Sequence, residues 1–426
     1  MASPQVVAEL ARLEPSSVSA SDKANGYANL LKILLQDPSP DHLTANLRAL
    51  LDSILGETVG IVAARPLLST FVESLKAIHN SELQIDVGQH ALDLLQPRVV
   101  SFEEQDASIR DIMAEAYEAT DEHTAAAKVL QGIQLDSSQR MISDDEKVRV
   151  WIRIVRNYLE DDDSINAEIY LMKAKNLVYK CEDQELNLMF QLSQARILDA
   201  RRRFLEACQA YHTLSFSPVV VEEERARALS SAIICAVLAP AGPQRSRTLA
   251  RLYKDERGAQ LPEFGILEKM FLDRLLSPDE VEKFAAGLSE HHLARTSDGS
   301  TVLRKAVVEH NLLGASRLYN DIGMWELGVL LDLPGAMAEE YAAGMIEQGR
   351  LAGHIDQIQQ VVYFDGGEGS GERSSAGQTD GVGHSAGARH LRLWDANVQG
   401  LAEEVERVTS LLQTGYPDFV ASHLVH

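Results

Sequence analysis

The sequence predicts an all-α helical-repeat solenoid of the TPR/HEAT-like kind, followed by a winged-helix module and a final helix suited to a bundle. Three observations carry this prediction. First, one spacing recurs three times: Tyr117, Ala126 and Leu130; then Tyr158, Ala167 and Leu171; then Leu198, Ala207 and Tyr211. The copies lie about 40 residues apart, the period of a stacked helix–turn–helix unit. Second, helical periodicity gives way near residue 351 to two short alternating runs. Third, a heptad-spaced apolar seam closes the chain after a Gly- and Ser-rich stretch.

In chain order, residues 1–100 read as amphipathic helices broken by polar turns such as Asp37-Pro38-Ser39-Pro40, with Leu47, Leu50, Leu51, Ile54 and Leu55 at helical spacing. Pro97 punctuates before the repeats. In each repeat a large residue ends the first helix. A small alanine then lets the second helix approach, and another large residue fills the groove one turn later. Polar turns separate the helices at Thr120-Asp121-Glu122, Asp161-Asp162-Asp163-Ser164 and Arg201-Arg202-Arg203. The acidic turn lacks the glycine and distal glutamate of a calcium loop, so capping of the next helix is expected. The arginine turn reads as solvated, its functional alternative being a docking spot for an acidic partner.

Further helices are expected from 222 to 295, including a long one over Phe264–Leu276. Val302–Tyr319, Trp325–Leu331 and Ala336–Gln348 follow as helices, then strands at Leu351–Ile355 and Gln360–Phe364. That order is a winged helix. Residues 365–390 are expected to be a disordered linker. In the last helix Trp394, Val398, Leu401, Val405, Val408 and Leu412 form one apolar seam, too short to stand alone and so in need of partner helices. The predicted domains are a helical-repeat arm (1–195), a further helical part (196–300), the winged helix (301–364), the linker (365–390) and the bundle helix (391–426).

Composition limits the function. Apolar residues make up 45% and the formal charge is −23, which argues against nucleic acid or anionic membrane as the main partner. Cys181, Cys208 and Cys235 are unpaired by spacing and read as buried thiols of a reducing compartment. MASPQVVAEL has no signal-peptide pattern, and the longest apolar run, Ala232–Ala239, is far short of a membrane span, so a soluble intracellular protein is expected.

No catalytic constellation is visible. Gly383-His384-Ser385-Ala386-Gly387 matches the nucleophile-elbow pattern but sits in the linker, without the strand and helix that strain such a serine. His291-His292 and Glu309-His310 are the nearest approach to a metal cluster, fit no zinc motif, and read as surface or capping residues. No catalytic residue, cofactor or metal is expected. The helix over 336–348 carries Glu339, Glu340 and Glu347 and no Lys or Arg until Arg350, so protein contact is favoured over a nucleic acid groove.

Helical repeats leading into a winged helix resemble the PCI-domain family. Four segments sharpen the likeness: QPRVVSFEEQDASIRDIMAEAYE (96–118), QRSRTLARLYKDER (244–257), FGILEKMFLDR (264–274) and VVEHNLLGASRLYNDIGMWELGVLLDL (307–333) closely resemble the family of fourth subunits of the COP-nine signalosome. The resemblance implies a non-catalytic scaffold in the complex that deneddylates cullin–RING ubiquitin ligases, with residues 196–364 as the PCI domain. It implies PCI and MPN subunits and neddylated cullin–RING ligases as partners, no nucleic acid and no membrane, and a cytoplasmic and nuclear location. The ring contact falls on Val302–Phe364 and the bundle contact on the Trp394–Leu412 seam. The exposed edge for strand pairing is expected at Val361, Val362, Tyr363 and Phe364. Alternative readings are the same scaffold role in the proteasome lid or an initiation-factor complex, a nucleic-acid-binding winged helix, and a serine hydrolase using Ser385.

Overall fold

A computed structural model describes residues 3–13, 20–36, 40–56, 59–136, 141–295 and 299–368, and, near the C-terminus, 394, 398–399, 401–411 and 415. The chain forms two compact units. The first holds residues 1–239, 247–271 and 277–304, and the second holds 240–246, 272–276 and 305–426.

The first unit begins with helices α1 (Pro4–Leu13), α2 (Ala20–Gln36), α3 (Pro40–Ile54), α4 (Ile61–Lys76) and α5 (Ser81–Leu95). Tyr27, Leu50, Leu51, Leu68, Phe71, Val87 and Leu95 interlock in its core, which Ile109 and Met113 of the next helix complete. Pro97 lies in a short 3-10 turn, Gln96–Ser101, that ends this set.

Three helix pairs follow: α6 (Glu103–Ala119) with α7 (His123–Gln131), α8 (Asp144–Glu160) with α9 (Ser164–Val178), and α10 (Gln184–Ala200) with α11 (Phe204–Leu214). Helix α7 packs onto α8, and α8 onto α10, so the pairs stack as the spacing predicts.

One turn geometry explains that spacing. Asp121, Asp162 and Arg202 each have φ near +60°. The N–H of the following residue then donates back to the backbone carbonyl of the last large residue: Glu122 to Tyr117, Asp163 to Tyr158 and Arg203 to Leu198, each at 2.9 Å. Asp121, Asp162 and Arg202 themselves donate to Glu118, Leu159 and Asp199 at 3.4, 3.4 and 2.8 Å. This pair of bonds is the Schellman motif. Ala126, Ala167 and Ala207 close the first turn of the next helix, donating to Glu122, Asp163 and Arg203. Each of these alanines is fully buried.

The acidic turn caps its helix as expected, Asp163 Oδ1 accepting the Asn166 N–H at 3.1 Å. In the arginine turn, Arg203 pairs with Glu206 and Arg201 with Glu168.

Polar bonds also join neighbouring repeats. Arg153 of α8 donates Nε to Glu118 Oε1 of α6 at 2.8 Å, and Asn157 Nδ2 donates to the same oxygen at 2.7 Å. Burial pushes the Glu118 pKa up, but these bonds outweigh it and hold the carboxyl below its ordinary range. One repeat later, Arg196 of α10 donates to Glu160 of α8 at 2.8 Å.

The chain continues through α12 (Glu222–Leu238), α13 (Pro243–Tyr253), α14 (Phe264–Phe271), α15 (Pro278–Ala285) and the four-residue α16 (Glu290–Leu293). The three cysteines are buried free thiols. Burial pushes Cys181 up to about 11 and Cys208 up to about 12, so neither is a poised thiolate.

Two sequence expectations need correction here. The helix expected over Phe264–Leu276 stops at Phe271, and Asp273 takes a left-handed φ of 51°. Within the second unit, Asn311 claims the backbone that a continued helix would use: its Oδ1 accepts the Leu276 N–H at 2.9 Å and its Nδ2 donates to the Leu276 carbonyl at 3.2 Å. His292 and His310, expected at the surface, are 4% and 1% exposed.

Candidate assembly interfaces

The second unit is built on α17 (Val302–Leu318), β1 (Asp321–Gly323), α18 (Met324–Leu331), α19 (Gly335–Glu347), β2 (Leu351–Asp356) and β3 (Val361–Glu368). Leu312, Ile322, Leu327, Ala338, Ala342, Met345, Val362 and Phe364 share one core. This is a winged helix, and its three-stranded sheet is antiparallel.

Three consecutive side chains of α17 fan out and fix the segments around it. Glu309 accepts the Ala241 N–H at 3.1 Å and Arg350 Nη2 at 3.0 Å. His310 Nε2 lies 2.9 Å from the Arg274 carbonyl, and Asn311 holds Leu276. Gly314, one turn on, leaves room for this backbone: a Cβ there would stand 3.2 Å from the Asp273 carbonyl oxygen. Burial lowers the His310 pKa to about 4, assisted by the charge of Arg245, so the ring is neutral.

The sheet order is β1-β3-β2, which corrects the expected edge. Val361, Val362 and Tyr363 pair with β1 on one side and β2 on the other, and the Phe364 N–H donates to the Asn320 carbonyl at 2.7 Å. Val362 and Phe364 point into the core. Among the described residues the sheet edges are therefore β2, over six residues, and the three-residue β1. The sequence reading missed β1 because three residues between helices show no alternation.

Apolar side chains lie exposed on the same unit. Trp325 and Val329, one turn apart on α18, are 72% and 65% exposed, and Ile358 at the tip of the β2–β3 turn is 96% exposed. The signal was present in MWELGVLL, which is apolar on more faces than one contact can bury. Residues 401–411 are helical. Trp394, Val398, Leu401, Val405 and Val408 of the heptad seam are all exposed. Leu412, the bulk of the 365–390 linker (369–390) and the serine motif at 383–387 lie outside the described residues, whereas β3 occupies the linker's first four positions.

The α19 face opposite Ala338, Ala342 and Met345 carries exposed Glu340 and Glu347. Arg350, the first cation after it, is committed to Glu309. A phosphate backbone would meet carboxylates here, which disfavours groove binding.

Comparison with known proteins agrees with this architecture. The family model described as PSMD12/CSN4, N-terminal, matches residues 5–223, and the PCI domain model matches residues 268–365. A protein of Emericella nidulans named COP9 signalosome complex subunit 4 is 52% identical over 98% of this chain and 99% of its own length. Proteins of the same name from Neurospora crassa and Drosophila melanogaster are 49% and 40% identical, each over 94% of this chain and over 95% and 92% of their own lengths. Stacked Schellman helix pairs, a winged helix and near full-length similarity converge: the chain belongs to the COP9 signalosome subunit 4 family.

Proposed function

We propose that this chain is a non-catalytic scaffold subunit of the COP9 signalosome, the complex that removes a ubiquitin-like modifier from cullins. The observation that carries the reading is a folded winged helix with an unpaired six-residue strand edge, β2, in a unit whose last helix leaves its apolar seam exposed. An open edge takes a strand from a neighbour. A heptad seam takes partner helices. Both are assembly devices, and the family likeness supports the same role. In this reading the neighbours are PCI and MPN subunits, the cullin–RING ligase is positioned by the complex, and the separate MPN metalloprotease is regulated in part through this subunit. The cytoplasm and nucleus are where it acts.

The test is purification of the tagged full chain from its own cells, identification of the co-purifying proteins by mass spectrometry, and an assay for cullin deneddylation. Several PCI subunits with two MPN subunits and zinc-dependent activity would support the proposal. Recovery of proteasome lid or initiation-factor subunits instead would overturn it while leaving the fold untouched.

A further inference from the structure

A cluster of titratable side chains lies within the first unit. Asp199, near the end of α10, is 6% exposed, and two adjacent histidines of α16 converge on its carboxylate. His292 Nε2 lies 2.9 Å from Oδ1, and His291 Nε2 lies 3.4 Å from Oδ2. The two rings sit 3.8 Å apart, centroid to centroid. One ligand atom from each of the three residues falls within 4.8 Å of the others.

An ion pair alone explains half of this. His292 and Asp199 make a good hydrogen bond. His291 Nε2, however, is shut away from water, makes no aligned hydrogen bond, and still points at the second carboxylate oxygen. A buried nitrogen held only by a long, poorly aligned ion pair is incompletely satisfied. His292 Nδ1 makes no hydrogen bond, but it stays so whether Nε2 holds a proton or a metal, and does not decide between them.

We propose that Asp199, His291 and His292 form a binding site for a divalent transition metal of the zinc class. Two imidazole nitrogens and one carboxylate oxygen are a zinc-type donor set, which leaves a fourth position for water. With bonds of about 2.0–2.1 Å, tetrahedral donors stand roughly 3.3 Å apart. The two histidines reach different oxygens, His291 at 3.4 Å from Oδ2 and His292 at 2.9 Å from Oδ1, so the Asp199 carboxylate must turn to present one oxygen to both nitrogens. His291, whose side chain is 32% exposed, marks the side from which the ion and its water would enter. The ligands lie 93 residues apart along the chain. The metal would clip the four-residue α16, too short to hold itself, onto the last repeat pair.

The experiment uses the full chain, stripped with a chelator and then titrated with Zn²⁺ in competition with a chromogenic chelator, with Co²⁺ as a spectroscopic probe. The proposal expects one Zn²⁺ per chain, an intense tetrahedral Co²⁺ band, and a melting temperature that rises with metal. His291→Ala, at a half-exposed position, should keep the native circular dichroism yet bind at least about 100-fold more weakly, a loss that even an outer-shell change can reach. Asp199→Asn should act in the same direction. Equal metal uptake by wild type and His291→Ala would overturn the proposal, as would wild-type uptake well below one ion per chain.

Discussion

Glu309 and Arg350, 41 residues apart in sequence, meet inside the winged-helix unit, with the carboxylate 3% exposed and Arg350 Nη2 3.0 Å from Oε1. The same carboxylate accepts the Ala241 N–H, so one side chain satisfies a cation and a backbone donor together. Glu309→Ala would strand both. Loss of one partner of a buried pair costs about 3–5 kcal/mol, and the urea midpoint should fall accordingly. Glu309→Gln, which keeps the shape and an acceptor, should cost less. Equal losses for the two variants would show that the charge, and not the packing or a neutral acceptor, is what matters.

His310 makes the unit acid-sensitive. Its folded-state pKa is about 4 against an ordinary 6.5, so the neutral ring favours the folded state. That contribution is complete above pH 6.5 and is lost as pH falls from 6.5 through 4, about 3 kcal/mol in all. Urea unfolding between pH 4 and 7 should therefore show a steeper loss for wild type than for His310→Gln. Parallel curves would mean that His310 titrates normally.

Arg202 sits in the left-handed region with φ 61° and an exposed side chain. A Cβ is penalised there, whereas glycine is not. Arg202→Gly should stabilise the protein by roughly 0.5–1 kcal/mol, read as a rise in melting temperature. A fall would mean that the arginine makes a contact outweighing the strain.

Leu401 and Val405 are 67% and 58% exposed on the terminal helix. Changing both to Asp should leave the melting temperature of the isolated chain within about 1 °C, since exposed substitutions barely move stability. In cells the double variant should lose co-purifying partners, because burying the new charges at an interface is costly. Full recovery of partners would remove the seam from the assembly.

Local rules made most of the fold legible. The repeats could be read because turn chemistry spaces Tyr117 from Ala126, and both residues lie within one helix pair. Asp163 could be read as a cap because it bonds three residues away. What stayed hidden depends on distant partners. Leu272–Leu276 reads as helix until Asn311, 35 residues beyond Leu276, takes over its backbone. The sheet edge was misassigned because β1 is three residues long and inserts beside β3 from before two helices. His291 and His292 read as surface residues because nothing within the sequence neighbourhood of α16 points to Asp199.

The Schellman turn acts as a ruler. Six residues from Tyr117 to Glu122 are fixed by two backbone bonds, and Ala126 follows after one helical turn. Inserting one residue would rotate the alanine by about 100° and drive a larger neighbour into the helix contact. Between pairs the chain is under no such control: twelve residues separate Gln131 from Asp144, but only five separate Val178 from Gln184. Length change in this protein is therefore confined to the joints between repeats, and the hairpin inside each repeat can drift in sequence only at constant length.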